Sequence, residues 1–287
     1  MADWPTILDY PQRAAGTAPI ISVVTTVRNG EKSLGRTIES VRAQNIPDLE
    51  YIVVDAGSTD GTLDVIAANN DVVTHWISER DRGISDGFNK GIALSRGKYL
   101  TILNADDWLS PRQLAFGLET LERTGADFVF GDLLFHNALG HPLHMVCGDA
   151  AYAKRIAHVM PALNHPTVIV RRDAYERFGL FDLNLRLAMD YDLLLRLHRA
   201  GCHGVYNPHI SGHMTLEGAS DVQFRRALVE VRNIAIRHGG WPPREWLRFF
   251  FRLIKGEMRR ILERALPTAL FQRLRGGINR DFIGLPP

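Results

Sequence analysis

The sequence predicts an α/β fold: a mostly parallel, twisted sheet flanked by helices, with a helical extension at the C-terminal end. Three observations carry this. Apolar runs of strand length alternate with segments of helical period in the order β-α-β-α-β-α-β. The runs are nearly continuous in apolar residues, as in parallel strands buried on both faces. The segments that follow them are rich in Gly, Asp, Ser and Asn, and open α/β sheets bind ligands at the carboxyl ends of their strands.

Taken in order, residues 1 to 18 form a polar leader with little pattern. Pro19-Ile20-Ile21-Ser22-Val23-Val24-Thr25-Thr26 reads as the first strand, ending at the turn Val27-Arg28-Asn29-Gly30. Leu34, Ile38 and Val41 then keep helical spacing. Tyr51-Ile52-Val53-Val54-Asp55 is a second strand that runs into Ala56-Gly57-Ser58-Thr59-Asp60-Gly61-Thr62. A short helix, a third strand over 72–77 and a helix over 84–95 follow, the last closed by Gly97. Tyr99-Leu100-Thr101-Ile102-Leu103 is a fourth strand, and Ser110-Pro111 after it signals an N-cap with proline at the first helical position. Beyond the helix over 111–123 lie a strand over 128–132, a hairpin or extended pair over 133–146 and a short strand over 167–170. Helices over 190–200 and from Asp221 to about Arg237 complete the domain. The division expected is a leader at 1–18, one domain at 19–239 and a tail at 240–287.

The composition is that of a chain able to bury a core, 45% hydrophobic and 23% charged. With 34 basic and 32 acidic residues, no overall field suggests nucleic acid. The tail is the exception: from Trp241 on it holds 10 Lys/Arg and 4 Asp/Glu. Cys147 and Cys202 cannot make a disulfide framework and no CxxC pattern is present, which favours a reducing compartment. Neither a signal-peptide pattern nor an apolar run long enough to span a bilayer is found. A cytoplasmic protein is expected, peripheral on the inner face of the plasma membrane if the tail reaches it.

The stretch around which the chain is organised is Asn104-Ala105-Asp106-Asp107. Two successive carboxylates on a short loop after a buried strand suit a divalent cation that prefers oxygen. Taken alone, the pair is equally well read as an acidic loop capping the next helix.

Five stretches in a fixed order resemble the inverting family 2 glycosyltransferases, which have the GT-A fold. They are Thr25-Thr26-Val27-Arg28-Asn29, Val54-Asp55-Ala56-Gly57-Ser58-Thr59-Asp60-Gly61-Thr62, Asp86-Gly87-Phe88-Asn89-Lys90-Gly91-Ile92, Asn104-Ala105-Asp106-Asp107 and Met189-Asp190-Tyr191-Asp192-Leu193. The resemblance covers about residues 19 to 220. It implies a metal-dependent, inverting transfer of a sugar from a nucleotide sugar, UDP-linked, to a glycan or glycolipid acceptor. A divalent Mg²⁺ or Mn²⁺ is the implied cofactor, because negative charge builds on the leaving diphosphate.

The same resemblance assigns residues. Metal goes to Asp107, with Asp106 on ribose or metal; Asn104 stands where the extended motif has an acid. Asp55, Thr26, Arg28 and Asn29 are implied at the base and ribose, capping of the loop that follows being the other reading of Asp55. Asp86, Asn89 and Lys90 share a helix face by their spacing, with Lys90 toward a phosphate. Asp190 is the implied general base, taking the proton of the acceptor hydroxyl, and Met189 stands where the family has an acid. Asp192 is the second candidate, with helix-dipole partner as its other reading. His165, in Asn164-His165-Pro166-Thr167, is expected near the donor, a structural histidine being the alternative. His213 is expected as a metal contact near the Gly/Ser-rich Glu217-Gly218-Ala219-Ser220.

In the tail Trp246, Leu247, Phe250, Phe251, Ile254, Met258, Ile261 and Leu262 recur at helical spacing among arginines. Such a basic amphipathic helix suits an anionic membrane surface, or else packs on the domain or in a homodimer interface. Two other readings of the chain stay open: a nucleotidyltransferase, which would need no base at Asp190, and a non-catalytic relative acting as a partner subunit, which Asn104 and Met189 would suit.

Overall fold

The computed structural model describes residues 4–10, 18–215 and 223–265. The Glu217-Gly218-Ala219-Ser220 loop, Asp221 and the tail beyond residue 265 lie outside the described residues. The sheet begins with β1 (Ile21–Val27), β2 (Leu49–Asp55), β3 (His75–Ser78) and β4 (Tyr99–Ile102), paired in parallel in the order β3-β2-β1-β4. Between them run α1 (Leu34–Arg42), α2 (Thr62–Ala67) and α3 (Ile84–Leu94). β1, β2 and β4 are buried along almost their whole length, as their unbroken apolar runs require. The chain leaves β1 toward β2 on one side and returns to β4 on the other. The crevice at the carboxyl ends of β1 and β4 is therefore a topological switch point.

Beyond β4 the sheet becomes mixed. After β5 (Trp108–Leu109) and α4 (Gln113–Thr124) come β6 (Phe128–His136), β7 (Pro142–Val146) and β8 (Ile169–Arg171). β8 lies antiparallel between β4 and β6, and β6 and β7 form the hairpin expected over 133–146. β8 is followed by α5 (Arg172–Phe178), α6 (Met189–Arg199) and the 12-residue β9 (Gly204–Thr215), which runs parallel to β6 and antiparallel to β5. β9 is a strand with no sequence signal, because Asn207-Pro208-His209 interrupts its alternation. The register slips between Phe130 and Asp132, and a Cβ at Gly131 would collide with the Ile210 carbonyl oxygen. Only glycine allows the two strands to approach there.

Two expectations are corrected. Ser110 does not cap α4: Arg112 in the left-handed region (φ 62) precedes Gln113 at the helix start, and the Ser110 hydroxyl is engaged with β9. The leader is not unpatterned along its described part. Trp4, Ile7 and Tyr10 recur every third residue around a 3₁₀ turn, and Ile7 and Tyr10 are buried against the domain. Trp4 lies under the Arg196 guanidinium at 4.7 Å, and the Leu180 amide donates to the Pro5 carbonyl at 2.8 Å.

α7 (Phe224–Arg237) and α8 (Pro242–Ala265) end the described chain. α8 has two faces. Its inner face packs on α7: Arg232 stacks over Trp246 at 3.8 Å and Gly256 abuts Phe224. Its outer face leaves Leu247, Phe250, Phe251, Ile254, Met258 and Ile261 exposed. No helix among the described residues is long and apolar enough to cross a membrane.

Candidate functional site

A cleft of about 580 Å³ opens at the switch point. The end of β1 contributes Thr26, Arg28 and Asn29, and the loop after β4 contributes Asn104, Asp106 and Asp107. His165 comes from a 3₁₀ turn before β8; Arg186 comes from the turn before α6, and Met189 and Asp190 from the start of that helix; Phe135 and Met214 come from β6 and β9. Asn29 takes a positive φ of 53°, which asparagine tolerates. It bridges to the loop after β2: its amide donates to Ser58 Oγ at 2.7 Å and its Oδ1 accepts from the Thr59 amide at 2.9 Å.

The acidic loop is tied to α1. Thr37 Oγ1 donates to the Asp107 carbonyl at 2.7 Å, and Arg36 donates to the Asp106 carbonyl at 3.2 Å while its guanidinium lies 3.6 Å over the Trp108 ring. Asp106 is exposed to the cleft. Asp107 is 1% exposed; its Oδ2 accepts from Asn104 Nδ2 at 2.9 Å, but its Oδ1 and the Asn104 Oδ1 are buried with no hydrogen-bond donor. Burial, then the neighbouring Asp106 charge, push the Asp107 carboxyl well above the usual range, against the Asn104 hydrogen bond and the Arg36 charge. An orphaned buried carboxylate oxygen is costly. A carboxylate and an amide oxygen left side by side, with Asp106 adjacent, are the hard donors that Mg²⁺ or Mn²⁺ takes. Among the described residues no three His, Cys, Asp or Glu side chains cluster as a metal cage. A bound ion would draw its remaining oxygens from ligand and water.

Asp190 is the second residue of α6, a helix whose N-cap, Ala188, offers no side-chain cap. Its Oδ1 accepts from the Tyr191 amide at 2.8 Å. Burial pushes its carboxyl up, opposed chiefly by His165. His165 Nε2 is itself buried and without a partner, and burial holds its ring below the usual histidine range. A carboxylate raised in this way and set in a cleft is suited to taking a proton.

Several sequence expectations do not meet at the cleft. Asp55 is fully buried and accepts from the amides of Gly57 and Ser58 and the hydroxyls of Ser58 and Ser78, so it shapes its own loop. Asp86 and Asn89 share a helix face as their spacing implies, but that face is turned to the core. Asp86 accepts from Tyr10 Oη at 3.1 Å and from Arg82, and Asn89 both donates to and accepts from the Phe181 backbone at 2.9 Å. Lys90 is held by Glu79 Oε1 at 2.7 Å and the Arg80 carbonyl at 3.1 Å. His213 is corrected as a metal contact. Its Nε2 is 2.9 Å from Ser110 Oγ, its Nδ1 is 2.9 Å from His136 Nε2, and its ring stacks on Trp108. Burial, then His136 and Arg36, lower it to about 4, so it is a neutral strut between β5, β6 and β9. Asp192, the second candidate base, is 0% exposed and locked by Arg196, Arg237 and His238. Arg186, Phe135 and Met214 line the cleft without any sequence signal, because strand pairing and a loop outside every motif bring them there.

The likenesses to known proteins agree with this architecture. Succinoglycan biosynthesis protein ExoO of Rhizobium meliloti is 30% identical over 196 residues, 63% of this chain and 56% of that protein. The chain spans about 62% of the length of two Rickettsia glycosyltransferases that it also matches. Among solved structures, the mannosyltransferase PcManGT from Pyrobaculum calidifontis, in complex with GDP-Man and Mn²⁺, has a TM-score of 0.61 at 17% identity and covers 99% of this chain and 87% of its own. Staphylococcus aureus TarS 1–349, in complex with UDP-GlcNAc, has a TM-score of 0.56 at 15% identity over 78% of this chain and 69% of its own. The family model for glycosyl transferase family 2 matches residues 22–179, from the start of β1 to the end of α5, and with more than half of the sequence inside that match the chain belongs to this family.

Proposed function

We propose that the chain is a metal-dependent, inverting glycosyltransferase that moves a sugar from a nucleotide sugar, UDP-linked, to a glycan or lipid-linked acceptor in surface-polysaccharide or glycolipid assembly. One observation carries the reading: a single cleft holds the oxygen-rich Asn104, Asp106 and Asp107 loop and, from α6, the Asp190 carboxylate. The solved neighbours bound to UDP-GlcNAc and to GDP-Man with Mn²⁺ support a nucleotide-sugar ligand.

In this reading Thr26 and Asn29 contact base and ribose, and the Arg28 and Arg186 cations face the diphosphate. His165, neutral, sits beside the sugar. Asp107, with Asp106 and the Asn104 carbonyl, holds Mg²⁺ or Mn²⁺, which would neutralise charge on the departing diphosphate. Asp190 accepts the proton of the acceptor hydroxyl as that oxygen bonds to the anomeric carbon. The bond to the diphosphate breaks on the opposite face, and the configuration inverts. The exposed apolar face of α8 and its arginines contact an anionic membrane at the inner face of the plasma membrane, which brings a lipid-linked acceptor near. Sedimentation with anionic vesicles tests that contact, and a protein that never sediments turns the face into a homodimer contact.

The chemistry is tested by pairing donor affinity in Mn²⁺ with transfer rate. Asp107→Ala is expected to lose metal-dependent donor binding along with turnover. Asp190→Asn is expected to keep donor affinity and to lose about 10²-fold in rate, the scale of a positioned base. Release of nucleoside diphosphate rather than pyrophosphate excludes nucleotidyl transfer. Transfer by Asp190→Asn at nearly the wild-type rate would remove the base assignment.

A further inference from the structure

The turn that delivers Asp190 to the cleft is hung from one side chain on another helix. Glu230, half-buried on α7, accepts the amides of Leu187 and Ala188 on Oε2 at 2.9 Å each, and the Arg186 amide at 3.1 Å on Oε1 and 3.3 Å on Oε2. Three successive N–H groups therefore converge on one carboxylate. These amides meet the Glu230 carboxylate directly. Hydrogen bonds to an ionised acceptor are the stronger kind. Of the three amides, that of Ala188 belongs to the N-cap of α6, a residue that offers no side-chain cap, and those of Arg186 and Leu187 lie in the turn before it. The other side of the turn is fixed by α3: Ser85 Oγ donates to the Leu185 carbonyl at 3.0 Å, and Arg186 reaches the Arg82 carbonyl. Two residues past the last hung amide stands Asp190.

We infer that Glu230 is a positioning residue for the transfer site, suspending residues 186–188 so that α6 starts with Asp190 facing the cleft. The inference rests on the reading of Asp190 as the base. Glu230 has a second, electrostatic effect. The titratable groups facing Asp190 are His165 from the 3₁₀ turn and Glu230 from α7, with Arg28, Arg186, Asp106 and Asp107 lining the same cleft. His165 favours the ionised carboxylate and Glu230 opposes it. Removing the Glu230 charge makes Asp190 ionise at lower pH.

The test compares wild type, E230A and E230Q in two measurements: amide hydrogen exchange at residues 186–188, and the pH profile of transfer at saturating donor. In E230A, exchange at the three amides is expected to accelerate with the rest of the domain unchanged, and transfer to fall about tenfold or more with donor KM moving far less. E230Q keeps an acceptor oxygen, so exchange and most of the rate should be recovered. In both variants the acid limb of the rate should move to lower pH. A cap of merely structural value would loosen the three amides in E230A and leave transfer at the wild-type rate. Unchanged exchange at residues 186–188 in E230A overturns the proposal, as does loosened exchange with a wild-type rate and pH limb. A wild-type protein that transfers from no donor, with exchange responding as expected, instead overturns the transfer reading and leaves Glu230 a helix cap only.

Discussion

Asp107 and Asp192 are both nearly sealed from solvent, with 1% and 0% of their surface exposed, yet they are held in opposite ways. Asp192 is bonded by Arg196 at 3.0 Å, by His238 at 3.0 Å and by Arg237. Burial alone would raise its carboxyl, but the His238 hydrogen bond and the Arg196 and Arg237 charges outweigh burial and keep it below the usual range. Asp107 has one amide for one oxygen and nothing for the other, beside a second acid, and its carboxyl is raised. Burial is common to both; the countercharge decides. A buried acid whose charges are met inside the chain is structural, and one whose charge is left unmet implies a ligand from outside. Of the two pairs in the sequence, Asp106 is exposed and Asp190 partly buried, while their neighbours Asp107 and Asp192 are sealed in and held in opposite ways.

The largest effect that would break the comparison comes from removing the structural member. Asp192→Ala leaves the buried Arg196 without its carboxylate and the exposed Arg237 with Asp182 alone, and removing one partner of a buried ionic pair costs about 3–5 kcal/mol. Urea unfolding should show this as a lower midpoint at unchanged slope. A loss under about 1 kcal/mol, the scale of exposed pairs, would mean that the cluster contributes little and that Asp192 is free to act elsewhere.

Acid should separate the two next. The Asp192 carboxyl lies below its ordinary 3.8 when folded, so its contribution is present above that value and is lost as pH falls through its native value. Asp107 has the reverse sign. Its native value is raised, so its favourable contribution is complete below 3.8 and is lost as pH rises through the native value. Metal-free wild type should therefore gain stability from Asp107 on mild acidification before it loses that from Asp192 in stronger acid. An Asp107→Asn protein lacking the first gain but keeping the second loss would assign both limbs.

A smaller effect is metal-dependent. If the orphaned oxygens of Asp107 and Asn104 face a cation, Mn²⁺ at ten times its dissociation constant should stabilise the native state by about 1.4 kcal/mol. That is a thermal shift of a few degrees for a domain of this size. The shift should vanish in Asp107→Asn and persist in Asp192 variants that fold. A shift that survives Asp107→Asn would move the ion away from the β4 loop.

How much of this was legible in the sequence follows from what periodicity can report. β1 to β4 announce themselves as apolar runs and the acidic loop follows the last of them, so the parallel half of the sheet was readable. The face a residue takes was not. Asp86 and Asn89 keep the spacing that puts them together, but nothing in that spacing says whether Tyr10 and Phe181 or a ligand occupies the space in front of them. Asp55 matched a motif and is used up by the amides of its own loop. Strand β9 was invisible because its partner β6 lies some 75 residues earlier and imposes pairing on a segment with proline inside it. His213 was read as a metal contact, since only the neighbouring His136 and Ser110 reveal that both ring nitrogens are taken. Glu230 left no trace at all, because a side chain that accepts backbone amides from another helix obeys no sequence spacing.

The smallest predicted effect is the sharpest, because its sign runs against what removing a buried charge usually does. Asp107→Asn in the metal-free protein keeps the shape of the side chain and an oxygen for the Asn104 amide while deleting a charge with which no cation among the described residues pairs. The Arg36 guanidinium that opposes the raised value is engaged with the Asp106 carbonyl and the Trp108 ring. The substitution should leave stability within about 1 kcal/mol of wild type, or raise it, since an uncompensated buried charge is itself destabilising. Measured by urea unfolding in chelator at neutral pH, a loss of about 3 kcal/mol or more, equal to that of Asp192→Ala, would show that Asp107 is held by interactions of the same kind. The two buried acids would then be alike, and the case for a cation on the β4 loop would fall with the difference between them.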